Sequence, residues 1–276
     1  MQGRQQASPT RSSGRDLDAH TVTEPTCNER RGLMPVVLAV EARCARCAVR
    51  GNCLPATLDR PALDRFDANL LTVQRRLQVG DVLFGGGDPF QFVYAVQTGF
   101  FKTVLTTRQG LEQVIGFHMA GDVLGLDGIG SGVHSVAAVA LEDARVCVIK
   151  FAALQRLARE LPELQARFHR LLGNELVRDY LSRVELGSKY AEERLAGFVL
   201  DLADRLGVRG YSDRAFVLRM TRGELGSYLG LTVETVCRTL SKFHRARILE
   251  VAQRDVHILD RGRLQQIVDG AAVQWP

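Results

Sequence analysis

Nowhere does the 276-residue chain hold the run of roughly 18 apolar residues that a membrane span requires, and its first residues contain no apolar segment like the core of a signal peptide. No membrane partner is expected, and the cytoplasm is the expected compartment. No cluster of acid, base and nucleophile suggests a catalytic site, and the glycine-rich segments read as turns between strands, not as a phosphate-gripping loop ahead of a helix. No enzymatic reaction is expected. The net charge is only +5, so any affinity for a polyanion must come from local clustering. Cysteines number six: Cys27, Cys44, Cys47, Cys53, Cys147 and Cys237. In a reducing compartment their grouping argues for metal ligation or redox chemistry and against a disulfide framework.

What is present is ordinary for a soluble globular protein, with 46% hydrophobic and 24% charged residues and length enough for two domains. Residues 1–43 are expected to form a disordered leader, because the first 33 or so mix Ser, Thr, Arg, Gln and Gly without apolar periodicity; Met34 offers an alternative start to Met1. A helical stretch is expected near Pro61–Leu71. From about Leu77 to Ile149 glycines punctuate short β-rich segments, in which Phe92, Tyr94 and Val96 alternate with Val93 and Ala95. Such spacing predicts a β-sandwich or barrel. A long helix follows, roughly Pro162–Leu186, in which Leu172, Leu176, Asp179, Arg183 and Leu186 recur at steps of three and four, the seam of a twofold coiled coil interrupted by charge. A second helix is expected over Ala191–Leu206.

Two short helical patterns flank Gly230-Leu231-Thr232. Gly226 suits a close helix crossing, Gly230 a tight turn with positive φ, and Thr232 the cap of the second helix, with Val236 packing inward. Glu234, Cys237 and Arg238 then point outward. Arg can grip guanine through O6 and N7, and Glu can accept from the cytosine amino group, so this is the chemistry of major-groove readout. Lys242 and Arg245, further along, are expected on phosphates. Nine Lys or Arg stand against five acids between Arg219 and Arg263, which suits double-stranded DNA. Glu250–Asp260 alternates as a hairpin, the expected wing.

Cys44-Ala-Arg-Cys47-Ala-Val-Arg-Gly-Asn-Cys53 brings three thiols within ten residues, and Gly51 lets the loop wrap. Arg43, Arg46 and Arg50 would offset thiolate charge. The spacing serves an iron–sulfur cluster and a zinc ion equally. A fourth ligand must come from elsewhere: Cys147 on a predicted strand, which by itself reads as a core thiol, or Cys27 in the leader.

Together the cysteine triad, Gly116-Phe-His-Met-Ala-Gly-Asp-Val-Leu-Gly, Ala191-Glu-Glu-Arg-Leu-Ala and Leu231-Thr-Val-Glu-Thr-Val-Cys-Arg resemble the fumarate and nitrate reduction regulator (FNR) family of the cyclic-AMP receptor superfamily. The likeness runs from about Cys44 to the end of the wing. It implies an α+β chain: a β-roll sensory domain like a cyclic-nucleotide-binding jelly roll (44–160), a dimerisation helix (161–188) and a C-terminal winged helix-turn-helix (189–276). It further implies that Cys44, Cys47, Cys53 and Cys147 hold an oxygen-labile 4Fe-4S cluster, and that the cluster-loaded homodimer activates or represses anaerobic genes at TTGAT-like palindromes, with RNA polymerase as a partner. Two departures stand out. Cys237 replaces the family's serine on the recognition helix, and Asn52 precedes the third ligand where an apolar residue would shield a cluster better. Relatives that bind cyclic AMP carry a phosphate-binding Arg that is missing from Val133-His134-Ser135. A zinc-stabilised regulator, a cyclic-nucleotide-responsive regulator and a cyclic-nucleotide-regulated enzyme subunit are the weaker alternatives.

Overall fold

The computed structural model describes residues 44–270, so the expected leader, Cys27 and the choice between Met1 and Met34 lie outside the described residues. Three short 3-10 turns, Cys44–Arg46, Arg50–Asn52 and Leu54–Thr57, carry the cysteine loop. The first helix, α1 (Arg60–Leu70), starts where Asp59 accepts a hydrogen bond from the Ala62 N–H at 2.9 Å. Leu63, Phe66 and Leu70 fall on one face of it and are buried.

Eight strands follow: β1 (Leu71–Leu77), β2 (Val82–Phe84), β3 (Phe92–Thr98), β4 (Phe100–Thr106), β5 (Glu112–Met119), β6 (Val123–Leu124), β7 (Ala137–Ala140) and β8 (Ala144–Lys150). They pair antiparallel into two sheets, ordered β1-β8-β3-β6 and β2-β7-β4-β5, which make the expected roll. The first strand begins at Leu71, earlier than the expected Leu77, and its Gln74 stands opposite Cys147.

Apart from the exposed Arg145 and Lys150 of β8, strands β3 and β8 are covered on both faces. Tyr94, Val96 and Val146 point into the roll with Phe84 and Phe101. Val93, Ala95, Cys147 and Ile149 point the other way, into a second core that contains Leu54, Leu63 and Phe66 of the loop and α1 together with Leu154 of α2 (Phe151–Glu160). Period-2 alternation here separates two apolar layers, and it turns Cys147 toward the cysteine loop.

Next comes α3 (Pro162–Ser188), with Pro162 in the first turn where its missing N–H is harmless. The C-terminal module comprises α4 (Ala191–Val208), β9 (Ala215–Val217), α5 (Arg222–Leu229), α6 (Val233–Arg245), β10 (Leu249–Ala252), β11 (Asp255–Ile258) and α7 (Arg261–Val268), its three strands forming a small antiparallel sheet. Its core is shared with the roll: Val114, Phe117 and Met119 of β5 join Leu195, Val199, Leu225, Val236 and Phe243 in one cluster.

Candidate functional site

Cys44, Cys47, Cys53 and Cys147 all line one cavity of about 340 Å³, counting its open side, whose other walls include Phe66, Ala95 and Ile149. All four are free thiols, and all but Cys47 are buried. Burial pushes the Cys53 thiol up to about 12 and the Cys147 thiol up to about 11; burial and then the Asp67 carboxylate drive Cys44 higher still. The thiols also sense one another's charge, Cys53 and Cys147 acting on Cys44, and Cys47 on both Cys53 and Cys147. Gln74 hydrogen-bonds to Cys147 and acts in the opposite direction. Asp67 of α1 also accepts the Cys44 backbone N–H at 3.1 Å, which ties the first turn down. Among the described residues no three Cys, His, Asp or Glu side chains converge on the position of a single ion. The four cysteines line one cavity and offer it an all-sulfur donor set, which suits a soft or borderline metal group better than a hard ion.

Two further contacts connect this loop to distant parts of the chain, and sequence reasoning found neither. Arg167 on α3 donates from its NH2 group to the Asn52 carbonyl at 2.8 Å and from Nε to the Cys53 carbonyl at 3.2 Å. Asn52 lies against Gly121, whose φ is +94°; a Cβ there would stand 2.9 Å from the Asn52 Cβ. The next residue, Asp122, is gripped by Arg205 of α4 at 2.8 Å and by Arg209, which caps that helix, at 2.5 Å. Burial alone would raise the Asp122 carboxyl, but the two guanidiniums outweigh it and hold the group below its ordinary range. Arg205 also donates to the Phe117 carbonyl and Arg209 to the Ala120 carbonyl.

On the roll's other edge Lys102 pairs with Glu224 at 2.8 Å, and Ser227 of α5 accepts the Val114 N–H at 2.9 Å. The C-terminal module is thus docked on the β4–β5 hairpin. Arg194, within the Ala191-Glu-Glu-Arg motif, donates to the Leu186 and Lys189 carbonyls at the end of α3 and to the Leu229 carbonyl at the end of α5. One guanidinium thereby closes two helix C-termini.

The helix pair α5–α6 follows local rules. Thr221 and Glu224 form a capping box on α5, Gly230 takes φ +62°, and a Cβ on Gly226 would meet the Leu231 carbonyl oxygen at 2.6 Å. Thr232 caps α6 by accepting from the Thr235 N–H at 3.2 Å, while Val236 is fully buried. Glu234, Cys237, Arg238 and Arg245 are exposed along α6. Lys242 is engaged within the protein, its Nζ 2.8 Å from Glu192 Oε1. That hydrogen bond is also the main reason the Glu192 carboxyl lies below its usual range. Arg222, on α5, donates to the Gln253 carbonyl and steadies the wing tip.

Along α3, Leu172 is half-buried, and Leu176, Asp179 and Arg183 are exposed. The exposed apolar side chains Leu176, Val177, Tyr180, Leu181 and Val184 form a stripe centred about a quarter turn from that seam, at 3.6 residues per turn. Inside the roll, His134 stacks on Phe84 at 3.9 Å between ring centres and faces Asp127 Oδ1 at 3.2 Å. The His134 side chain is therefore turned inward and packed.

Families described as Cyclic nucleotide-binding domain and Crp-like helix-turn-helix domain match residues 74–160 and 193–267. The chain is 41% identical over 224 residues to the Fumarate and nitrate reduction regulatory protein of Escherichia coli K12, covering 81% of this chain and 89% of that protein. It is 40% identical over 230 residues to Electron transport regulator A of Shewanella oneidensis, covering 83% and 92%. Among solved structures, FixK2 from Bradyrhizobium japonicum superposes with a TM-score of 0.64 at 30% identity, covering 73% of this chain and 98% of that one.

Proposed function

Since the chain belongs to the fumarate and nitrate reduction regulators within the CRP/FNR transcription regulators, we propose that it senses oxygen through a 4Fe-4S cluster on Cys44, Cys47, Cys53 and Cys147. The observation that carries this reading is the meeting of a ten-residue cysteine loop and a distant strand cysteine around one apolar cavity. When bound there, the cluster would supply oxygen-labile chemistry. The chain's own residues do the rest. Cys44, Cys53 and Cys147 must release protons to ligate, so assembly is favoured by rising pH. Arg46 and Arg50 lie within the loop and offset thiolate charge. Apolar walls limit the access of water to Cys44, Cys53 and Cys147.

The loaded protein acts as a homodimer through α3, with Leu172, Leu176, Asp179 and Arg183 near the axis. Two copies of α6 then enter successive major grooves of a palindrome with TTGAT-like half-sites, one DNA turn apart. Arg238 holds the guanine and Glu234 the cytosine opposite, Cys237 packs by a thymine methyl, Thr232 holds the helix start, and Arg245 meets phosphate. Lys242 must leave Glu192 to do the same. RNA polymerase is the second macromolecular partner, and the compartment is the cytoplasm. Among the described residues no helix is long and apolar enough to cross a membrane.

The deciding experiment is anaerobic reconstitution followed by absorption spectroscopy with iron and acid-labile sulfide analysis. Broad absorption near the visible–ultraviolet boundary, with iron and sulfide in equal amounts and bleaching in air, is expected. A colourless protein holding zinc would replace this reading with a zinc-stabilised regulator.

A further inference from the structure

We infer that Arg167 is the positioning residue through which the state of the cysteine loop is transmitted to the dimerisation helix; this rests on the function proposed above. A guanidinium is a planar fork of donors, and it can serve two acceptors together only when they are held at one spacing and one angle. Here the acceptors are consecutive backbone carbonyls, Asn52 at 2.8 Å and Cys53 at 3.2 Å. Asn52 ends a 3-10 turn, where carbonyls lack partners of their own, and Cys53 is one of the four thiols on the cavity. The fork therefore reads the backbone at the third cysteine and at no other.

The other end of the side chain is rooted in the second turn of α3, beside the fully buried Leu164 and five residues ahead of Leu172, where the dimer seam begins. Five residues of helix rise about 7.5 Å, too short a span for the helix to absorb a shift by bending. A loop pinned by four ligated thiols presents both carbonyls at one place, and α3 is then held at one rotation and height against the roll. A loop released from its ligands no longer holds the pair in register, and the fork loses one or both bonds. The apolar contacts of α3 with the same core, through Leu164 and Phe168, keep the helix attached in either case but are not directional. Coupling of this kind is reciprocal: dimerisation must stabilise the loaded loop by the factor by which loading favours the dimer.

The test uses the full chain and three variants: Arg167→Leu, Arg167→Lys, which keeps the charge but not the fork, and Arg156→Leu, which removes an exposed arginine of α2. Hydrogen exchange on the cluster-free protein comes first. Arg167→Leu should speed exchange of the Asn52, Cys53 and Ala56 amides, whose bonds close the 3-10 turns, and Arg156→Leu should not. The second measurement is the dimer dissociation constant by sedimentation, with and without anaerobic iron–sulfur reconstitution. Arg167→Leu should load iron like the unmodified chain yet lose about tenfold or more of the loading-induced gain in dimer affinity, since each hydrogen bond from a charged donor is worth about that factor. Arg167→Lys should fall between. Unchanged loop exchange or an unchanged gain in Arg167→Leu overturns the inference, as does loss of iron binding, which would make Arg167 a prop for the ligands. If the unmodified chain takes up no cluster, the proposed function fails by its own measurement, and the coupling falls with it, whatever the exchange data show.

Discussion

Replacing Gly121 by alanine should injure the protein through a residue in a different segment. The backbone there has φ +94°, where an L side chain costs about 1–2 kcal/mol. The new Cβ would also stand 2.9 Å from the Asn52 Cβ, whereas carbon atoms prefer roughly 3.5–4.0 Å, so the loop must retreat by about 0.6–1 Å. Overpacking on that scale costs about 1–3 kcal/mol. The single variant should therefore lose about 2–5 kcal/mol in urea unfolding of the cluster-free protein, followed by far-ultraviolet circular dichroism. Only the second part depends on Asn52. In an Asn52→Gly background the clash disappears, because the next atom met is the Asn52 carbonyl carbon at an ordinary 3.6 Å. Gly121→Ala should then cost only about 1–2 kcal/mol, leaving a coupling of about 1–3 kcal/mol in the double-mutant cycle. Iron content after anaerobic reconstitution should follow the same order, since the displaced Asn52 drags Cys53. Equal costs in the two backgrounds would refute the contact as the cause.

Other expectations follow from the same geometry. Burial pushes His118 down to about 4, with Thr103 Oγ1 3.1 Å from Nε2, so folding favours the neutral ring. Its folded value lies below the unfolded one near 6.5, so the contribution is complete above about pH 6.5 and up to about 3 kcal/mol is lost as pH falls toward 4. His118→Gln should flatten that window in pH-dependent melts, and an unchanged slope would exclude His118 as the source. Asp179 brings like charges together near the proposed axis; Asp179→Ala should dimerise in air, and sedimentation showing a persistent monomer would count against the seam. On DNA, Arg238→Ala should cost about 1–3 kcal/mol per half-site and relax preference at the G·C pair in a binding-site selection. Arg245→Ala should lower the salt slope by about one, whereas Lys242→Ala should lower it less and reduce stability instead, through loss of the Glu192 pair; equal slopes for the two would contradict that division.

The helix-turn-helix was legible because its determinants are local. A cap at Thr232, a crossing glycine at Gly226 and a positive φ at Gly230 each act within a few residues, and each has the conformation its residue type suggests. The roll was legible as a class but not in its layering. Alternation along β3 says that two faces differ, not whether one is wet, and here both are covered. Cys147 illustrates the gap: it is a buried strand thiol, as its surroundings in sequence suggest, and it also faces the loop, which follows only from its pairing with Gln74 and the side of the sheet it occupies. Arg167 left no local trace, since its acceptors lie 115 and 114 residues away. Arg194 was in view within its motif, but its role depends on two helix ends meeting in space.

The sheet that carries β3 and β8 acts as a partition between two compartments. One side is the roll interior, stoppered by the His134 ring on Phe84; the other is the thiol chamber. Events in one compartment need no vacancy in the other, so inputs on the two sides are separable in principle. Trimming His134 and Phe84 would open a chamber for a small molecule while leaving Cys147 at its post across a single backbone layer. Such a chain would be a two-input device on one output helix. Its cross-talk would run through the hydrogen-bonded ladder that pairs Tyr94 with Val148 and Ala95 with Cys147, and along the ring contacts from His134 through Phe90 and Phe151 to Phe168 of the output helix.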